Sequence, residues 1–285
     1  MPAQRKTDWT PYLLSLPSLL FLGLLFLLPV LSLVASSFSS AKPGADGHFT
    51  LKVYASLLSD PYNGIMIWRT LKISLITTVL TLVLAFPVAL YLRQVSPRTR
   101  MLVSFVLLSP LLTSVVVRTL AWVILLAPNG IVNETLSALG FSAVKLIYNQ
   151  TGVVIGLTHV FFGYMVLALM TSVLKIDENL LLAANNLGAS NWNVLIKIIL
   201  PLSLPGILAG SILVFSMCAS TYATPRLLGG SSNKVLAMEV YDLAINYLEW
   251  NEAAALASIL FVVIGLIVWG GTRLVESGRR RAVFE

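Results

Sequence analysis

Few residues of this 285-residue chain have the type and spacing to do chemistry. Its two histidines, His48 and His159, belong to no HExxH or other metal-spaced cluster, so no zinc site is expected. Neither GxSxG nor GxxxxGK(S/T) occurs, which leaves neither a serine-hydrolase elbow nor a loop to cradle ATP phosphates. The lone Cys218 excludes an intramolecular disulfide and reads as a small packing residue. No catalytic residue, metal or cofactor is therefore expected.

What remains is charge and aromaticity in apolar surroundings. Arg118 interrupts a long apolar run, and a guanidinium near the centre of a membrane helix costs about 3 to more than 10 kcal/mol, so it must face protein or water. It either lines a pathway or gate, or it ties backbone carbonyls or a loop acid into place. Trp122, Tyr164 and Tyr222 offer faces to a cation, although aromatic residues in membrane helices also serve packing and interfacial belts. Glu239 and Asp242, with Asp60, Glu249 and Glu252, would form an acidic vestibule if they converge, and a set of solvated loop charges if they do not.

The elements that must position these groups are membrane helices. Hydrophobic residues make up 57% of the chain, charged residues 11%, and mean hydropathy is +0.88, against about a quarter charged in a soluble domain. Uncharged stretches cover residues 9–41, 73–92, 146–174, 198–225 and 253–272, and another lies between Arg100 and Glu134, broken by Arg118. Each provides the roughly 20 residues needed to span the hydrocarbon core, which predicts an all-α integral membrane protein with six transmembrane helices. The first apolar run, 13–34, exceeds the core of a cleavable signal and predicts a retained span. With the amino terminus in the cytoplasm, that side carries Arg5, Lys6, Arg93, Arg98, Arg100, Lys175, Lys197, Arg273 and Arg279 to Arg281, so the positive-inside rule puts both termini there. The net charge of +7 then reflects topology and anionic lipid, not nucleic acid. Residues 1–285 read as a single permeating domain with its core at about 65–275. Loop breakers Pro43, Gly44, Asp46, Gly47 and Pro61 mark an external segment after the first span, and GxxxG at 152–156 and 206–210 marks close helix packing.

One polar segment stands apart. Residues 177–193 form a glycine-broken hairpin, with Asp177 or Asn179 as a cap, a helix through Leu187, a turn at Gly188, and Ser190 or Asn191 capping the next helix. Pro201 favours a bend further on. Ala183 and Ala184 permit close approach while Leu180, Leu181 and Leu187 supply apolar surface, a knob suited to a groove on another protein.

Ala183-Ala184, Gly188 four residues on, and Ile198-x-Leu200-Pro201 resemble the "EAA" loop of binding-protein-dependent ATP-binding-cassette importer permeases, with Leu182 where that family usually has Glu. SPLLTSVVVRTLAW at 109–122, NGIVN at 129–133, ATPRLLGG at 223–230 and WNEAAALAS at 250–258 resemble the spermidine/putrescine-type subfamily. Phe162-Gly163-Tyr164 departs from its usual Leu-Pro-Phe. The resemblance implies a type I (MetI-like) six-helix permease working with a second permease subunit, two cytoplasmic ATPase subunits and a periplasmic or lipid-anchored binding protein. It further implies coupling to the ATPases through Ala183, Ala184, Gly188, Ile198, Leu200 and Pro201, and import of putrescine or spermidine. Related solutes such as aminophosphonates, opines or amino-acid-like compounds stand as alternatives, and an ATP-independent secondary transporter is the rival class.

Overall fold

A computed structural model describes residues 10–39 and 48–284, with side chains for 14–39 and 48–273. Arg5, Lys6, Pro43, Gly44, Asp46 and Gly47 lie outside the described residues, as do the side chains of Arg279 to Arg281.

Helix α1 runs Thr10–Leu22, widens through a π turn at Gly23–Leu27 and continues as Leu28–Ser37. A short α2 (Lys52–Ser59) leads into α3 (Pro61–Gln94), whose first turn is capped by Asp60 accepting from the Tyr62 amide at 2.9 Å. Then come α4 (Pro97–Leu108), α5 (Val115–Leu125), α6 (Ile131–Ala138), α7 (Gln150–Val173) and α8 (Glu178–Asn186). Helix α9 starts as Asn191–Val194, passes a π turn at Leu195–Ile199 and runs on as Leu200–Ala219. Short α10 (Ala223–Gly229) and α11 (Leu236–Tyr241, followed by a π turn at Asp242–Asn246) precede the long α12 (Trp250–Phe284).

Helices α3, α7 and α9 pack pairwise into the centre. Small residues make this possible. A Cβ on Gly206 would lie 2.8 Å from Ser172 Oγ and 3.0 Å from the Ala168 carbonyl, and one on Gly210 would lie 2.7 Å from Met165 Sδ, so this GxxxG pair is the seam between α9 and α7. Gly156 instead admits Leu228 and Thr224 of α10. Helix α3 buries Thr70, Ser74, Thr78 and Thr81 without cost in unmet hydrogen bonds, because each hydroxyl donates to the carbonyl four residues earlier at 2.6–2.8 Å. Helix α12 packs against the last third of α1, whereas the most apolar stretch of α1 has no buried residue.

Among the described residues, five helices are long and apolar enough to cross a membrane, and a bent pair makes six if counted as one span. That pair departs from the straight span expected between Arg100 and Glu134. Helix α4 continues as a 3₁₀ turn at Ser109–Leu112, Thr113 is extended, and α5 leaves at 95° to the preceding axis. Pro110 cannot donate to a continuing helix, and the β-branched run Val115 to Val117 restarts one weakly, so the chain breaks between them.

Candidate functional site

The hairpin is built as its caps dictate. Asp177 accepts from the Asn179 amide at 2.9 Å and starts α8. At the far end the Gly188 amide donates to the Asn185 carbonyl at 2.9 Å and the Ala189 amide to the Ala184 carbonyl at 3.0 Å. This double closure requires a left-handed residue, and Gly188 supplies it with φ of +81°. Ser190, not Asn191, caps α9 by accepting from the Asn193 amide. Ala183 and Gly188 are exposed and Ala184 is half-buried, with Leu180, Leu182, Leu187 and Trp192 all exposed around them. Arg93 of α3 donates to the Ile176 carbonyl at 3.1 Å and anchors the hairpin's base. Between hairpin and α3 lies a cavity of about 380 Å³ that includes Leu90, Arg93, Leu181, Asn185 and Leu195.

Ile198 is half-buried in the π turn, and Leu200 and Pro201 follow it on exposed positions. The expected bend at Pro201 takes the form of that π turn: the Leu200 amide bonds back to Leu195, and the helix then continues through the proline. The second limb of the hairpin and the span behind it are thus one helical element from Asn191 to Ala219.

Further along, Arg118 sits in the first turn of α5 beside the 95° break. Its Nε and Nη1 are buried and meet no acceptor among the described residues, carbonyl or carboxylate. Trp122, one turn on, meets the His159 ring edge-on at 5.5 Å, and Arg118 lies within electrostatic reach of that imidazole. Trp122, Thr158, His159, Leu80 and Leu84 line an apolar cavity of about 320 Å³, and Thr158 Oγ1 is also buried without a partner among the described residues. Tyr164 does not join this group; its ring packs 6.4 Å from Phe161 on its own helix. His159 has no role in the sequence reading, though a lone imidazole inside a 24-residue apolar helix is a signal that could have found it.

Glu239 and Asp242, at the opposite end from the hairpin, are held, not open, whereas Glu249 is exposed. Lys234 donates to Glu239 at 2.8 Å and lies 2.8 Å from Asp242, which also accepts from Arg226 at 3.2 Å and Asn246 at 2.7 Å. Burial would lower the Lys234 pKa, but the two carboxylates outweigh it and hold that pKa above the usual lysine range. Burial likewise pushes Asp242 up, and Lys234 with Arg226 more than reverses this, so its carboxyl stays below the usual carboxylate range. Arg69 of α3 donates to the carbonyls of Ser232 and Lys234, and the Leu236 amide donates to Thr70 Oγ1, so the whole segment is tied to α3. Tyr222 stacks on Tyr241 at 4.3 Å beside it.

Residues 82–281 match the family described as "Binding-protein-dependent transport system inner membrane component". The "Spermidine/putrescine transport system permease protein PotB" of Salmonella typhimurium (strain SL1344) is 33% identical over 263 residues, covering 90% of this chain and 91% of that protein. The protein of the same name from Escherichia coli (strain K12) is 32% identical, covering 90% of this chain and 95% of its own. A bacterial ABC transporter "involved in the import of the acidic polysaccharide alginate" aligns with a TM-score of 0.76 at 19% identity over 95% of this chain and 96% of that one, which shows a shared fold. The matched segment contains the hairpin and the helices that carry it, and the chain therefore belongs to the binding-protein-dependent inner membrane component family, as a multi-pass transport component and not an enzyme.

Proposed function

We propose that this chain is one transmembrane subunit of an ATP-driven importer that moves a polyamine, putrescine or spermidine, into the cytoplasm. The observation that carries the proposal is the one-third identity to spermidine/putrescine permeases over nine-tenths of both chains. In this reading residues 1–285 form one permease domain with both termini in the cytoplasm, and the hairpin faces that side. A second permease subunit, two ATPase subunits and a periplasmic or lipid-anchored binding protein complete the assembly.

The hairpin enters a groove on an ATPase subunit through Ala183, Ala184 and Gly188. Because Asn191–Ala219 is one helical element, a displacement of the hairpin is delivered directly to α9 and through the Gly206 and Gly210 seam to α7. Ile198, Leu200 and Pro201 stand at the π turn, where a helix has the most give. Coupling of ATP to transport requires contacts that differ between the inward- and outward-open states, and this joint is where they belong. We assign Glu239 and Asp242 to bracing the far end, since Lys234 and Arg226 neutralise them. Trp122 and Tyr222 remain the aromatic faces available to a cation, with Tyr164 at the core margin. Deleting the gene is expected to abolish saturable uptake of radiolabelled putrescine or spermidine, restored by a plasmid copy; uptake of both that is unchanged by deletion would overturn the assignment.

A further inference from the structure

The first limb of the hairpin is thinly packed: across residues 178–188 only Leu181 and Ala184 are half-buried, and the others are exposed. The side of α8 toward α3 does not rest on side chains but borders the cavity of about 380 Å³, through Leu181 and Asn185. A short helix with few buried contacts beside an unfilled space yields to a load before passing it on. What limits this is found at the base of the limb. Helix α7 ends at Val173 and α8 begins at Glu178, so the Ile176 carbonyl lies in the connection between them, one residue before the Asp177 cap. Arg93 Nη2 donates to that carbonyl at 3.1 Å, a charge-assisted bond. Because the acceptor is main chain, the bond fixes the path of the backbone and not a side chain that could turn away. Asp177 and Glu178, the acids next along the chain, form no ion pair with Arg93 among the described residues. The donor itself stands on a closed helix end: Arg100 donates to the carbonyls of Leu92 at 2.7 Å, Arg93 at 3.1 Å and Val95 at 3.4 Å, which occupies the last acceptors of α3. Leu92 and Val173, at the ends of α3 and α7, are buried in one core.

We propose that Arg93 is a positioning residue for coupling: it pins the hairpin at Ile176 so that a push on α8 turns about a fixed point and is delivered to α9, instead of being lost as α8 sinks into the cavity. The pivot, the loaded limb and the output helix are then α3 with Ile176, α8, and the continuous element from Asn191 to Ala219. The proposal rests on the importer reading, in which an ATPase subunit supplies the push.

The test uses the whole importer in proteoliposomes, with putrescine uptake and ATP hydrolysis measured together. R93M removes the donor and is expected to leave recovery of the other subunits unchanged while uptake per ATP hydrolysed falls about tenfold or more, the factor carried by a hydrogen bond to a charged group. R93Q keeps a donor without the charge and R93K keeps both, and each is expected to stay within about threefold of the unmodified chain. L181W narrows the cavity, and added to R93M it is expected to regain at least about twofold in uptake per ATP, since α8 then has less room to sink. Hydrogen exchange of the complex without solute should show the amides of residues 177–187 opening about tenfold more readily in R93M. Unchanged exchange in R93M overturns the proposal, and so does faster exchange with uptake per ATP intact, which would leave a purely structural contact. A loss in R93Q as deep as in R93M with R93K intact also overturns it, because surface charge and not the bond would then be at work. No gain from L181W overturns it as well. An unmodified complex without ATP-driven uptake marks failure of the importer reading instead, and the exchange rates, which need no solute, judge the pivot in either case.

Discussion

Substitution of Gly188 separates a backbone effect from a docking effect, because the two act at different surfaces. Gly188 holds φ of +81°, and a Cβ placed on it meets no atom within 4 Å. Any L-residue there pays a left-handed backbone penalty of about 1–2 kcal/mol. That penalty shifts the closed turn roughly 5- to 30-fold toward open forms. Ala and Arg carry the same penalty, and the Cβ of either meets no neighbour at this exposed position, so the melting temperature of the purified permease is expected to fall equally for Gly188→Ala and Gly188→Arg. Asn tolerates the left-handed region and costs less. If the tip docks as proposed in a partner's groove, the long arginine side chain adds about 1–3 kcal/mol of overpacking there that alanine does not. Substrate-stimulated ATPase and uptake in proteoliposomes should therefore rank Asn above Ala and Ala about 5-fold or more above Arg. Equal coupling for Ala and Arg would refute the claim that this tip is the docked surface, and a larger melting shift for Arg would refute the claim that its surroundings are open.

Asp242→Asn should destabilise the importer by about 2–4 kcal/mol, less than the roughly 3–5 kcal/mol for breaking a fully buried pair because Arg226 is half-exposed, and differential scanning fluorimetry would show it. Asp242 has a depressed pKa, so its stabilisation is present above the unfolded value near ~4 and is lost as pH falls through the folded pKa; Lys234, with a raised pKa, keeps its contribution below ~10.4 and loses it only as pH rises through the folded value. Melting temperature should be flat across neutral pH and fall on acidification, and Asp242→Asn should remove part of the acid limb. Gly206→Ala should cost about 1–3 kcal/mol, since its Cβ meets the Ala168 backbone, whereas Gly210→Ala should cost less because the Met165 thioether can move; urea unfolding of both variants checks the order.

The parts of the molecule governed by local rules were legible in the residues. Asp177, Gly188 and Ser190 take the capping and turn positions that their side chains favour, and the Gly206 and Gly210 pair forms the expected close seam. The break between α4 and α5 was not legible from hydropathy, which counts apolar residues and is blind to the donor missing at Pro110. The π turn before Pro201 escaped for a related reason: a missing donor predicts a disturbance, and packing decides whether it becomes a kink or a widened turn. The acids at 239 and 242 read as free because Lys234 meets them across the turn at Val235, outside the three- and four-residue spacing that marks helical pairs. Arg118 stood out by charge alone, yet that its Nε and Nη1 are buried without an acceptor among the described residues is visible only once the neighbouring helices are in place.

On the proposed function, polyamine passes through this chain under ATP control. The direct measurement is uptake of radiolabelled putrescine or spermidine into proteoliposomes holding the complete importer, with ATP or a non-hydrolysable analogue and with the binding protein present or omitted. Accumulation that requires both ATP hydrolysis and the binding protein is the predicted result; uptake that proceeds without ATP, or an active importer that ignores both polyamines, would contradict it.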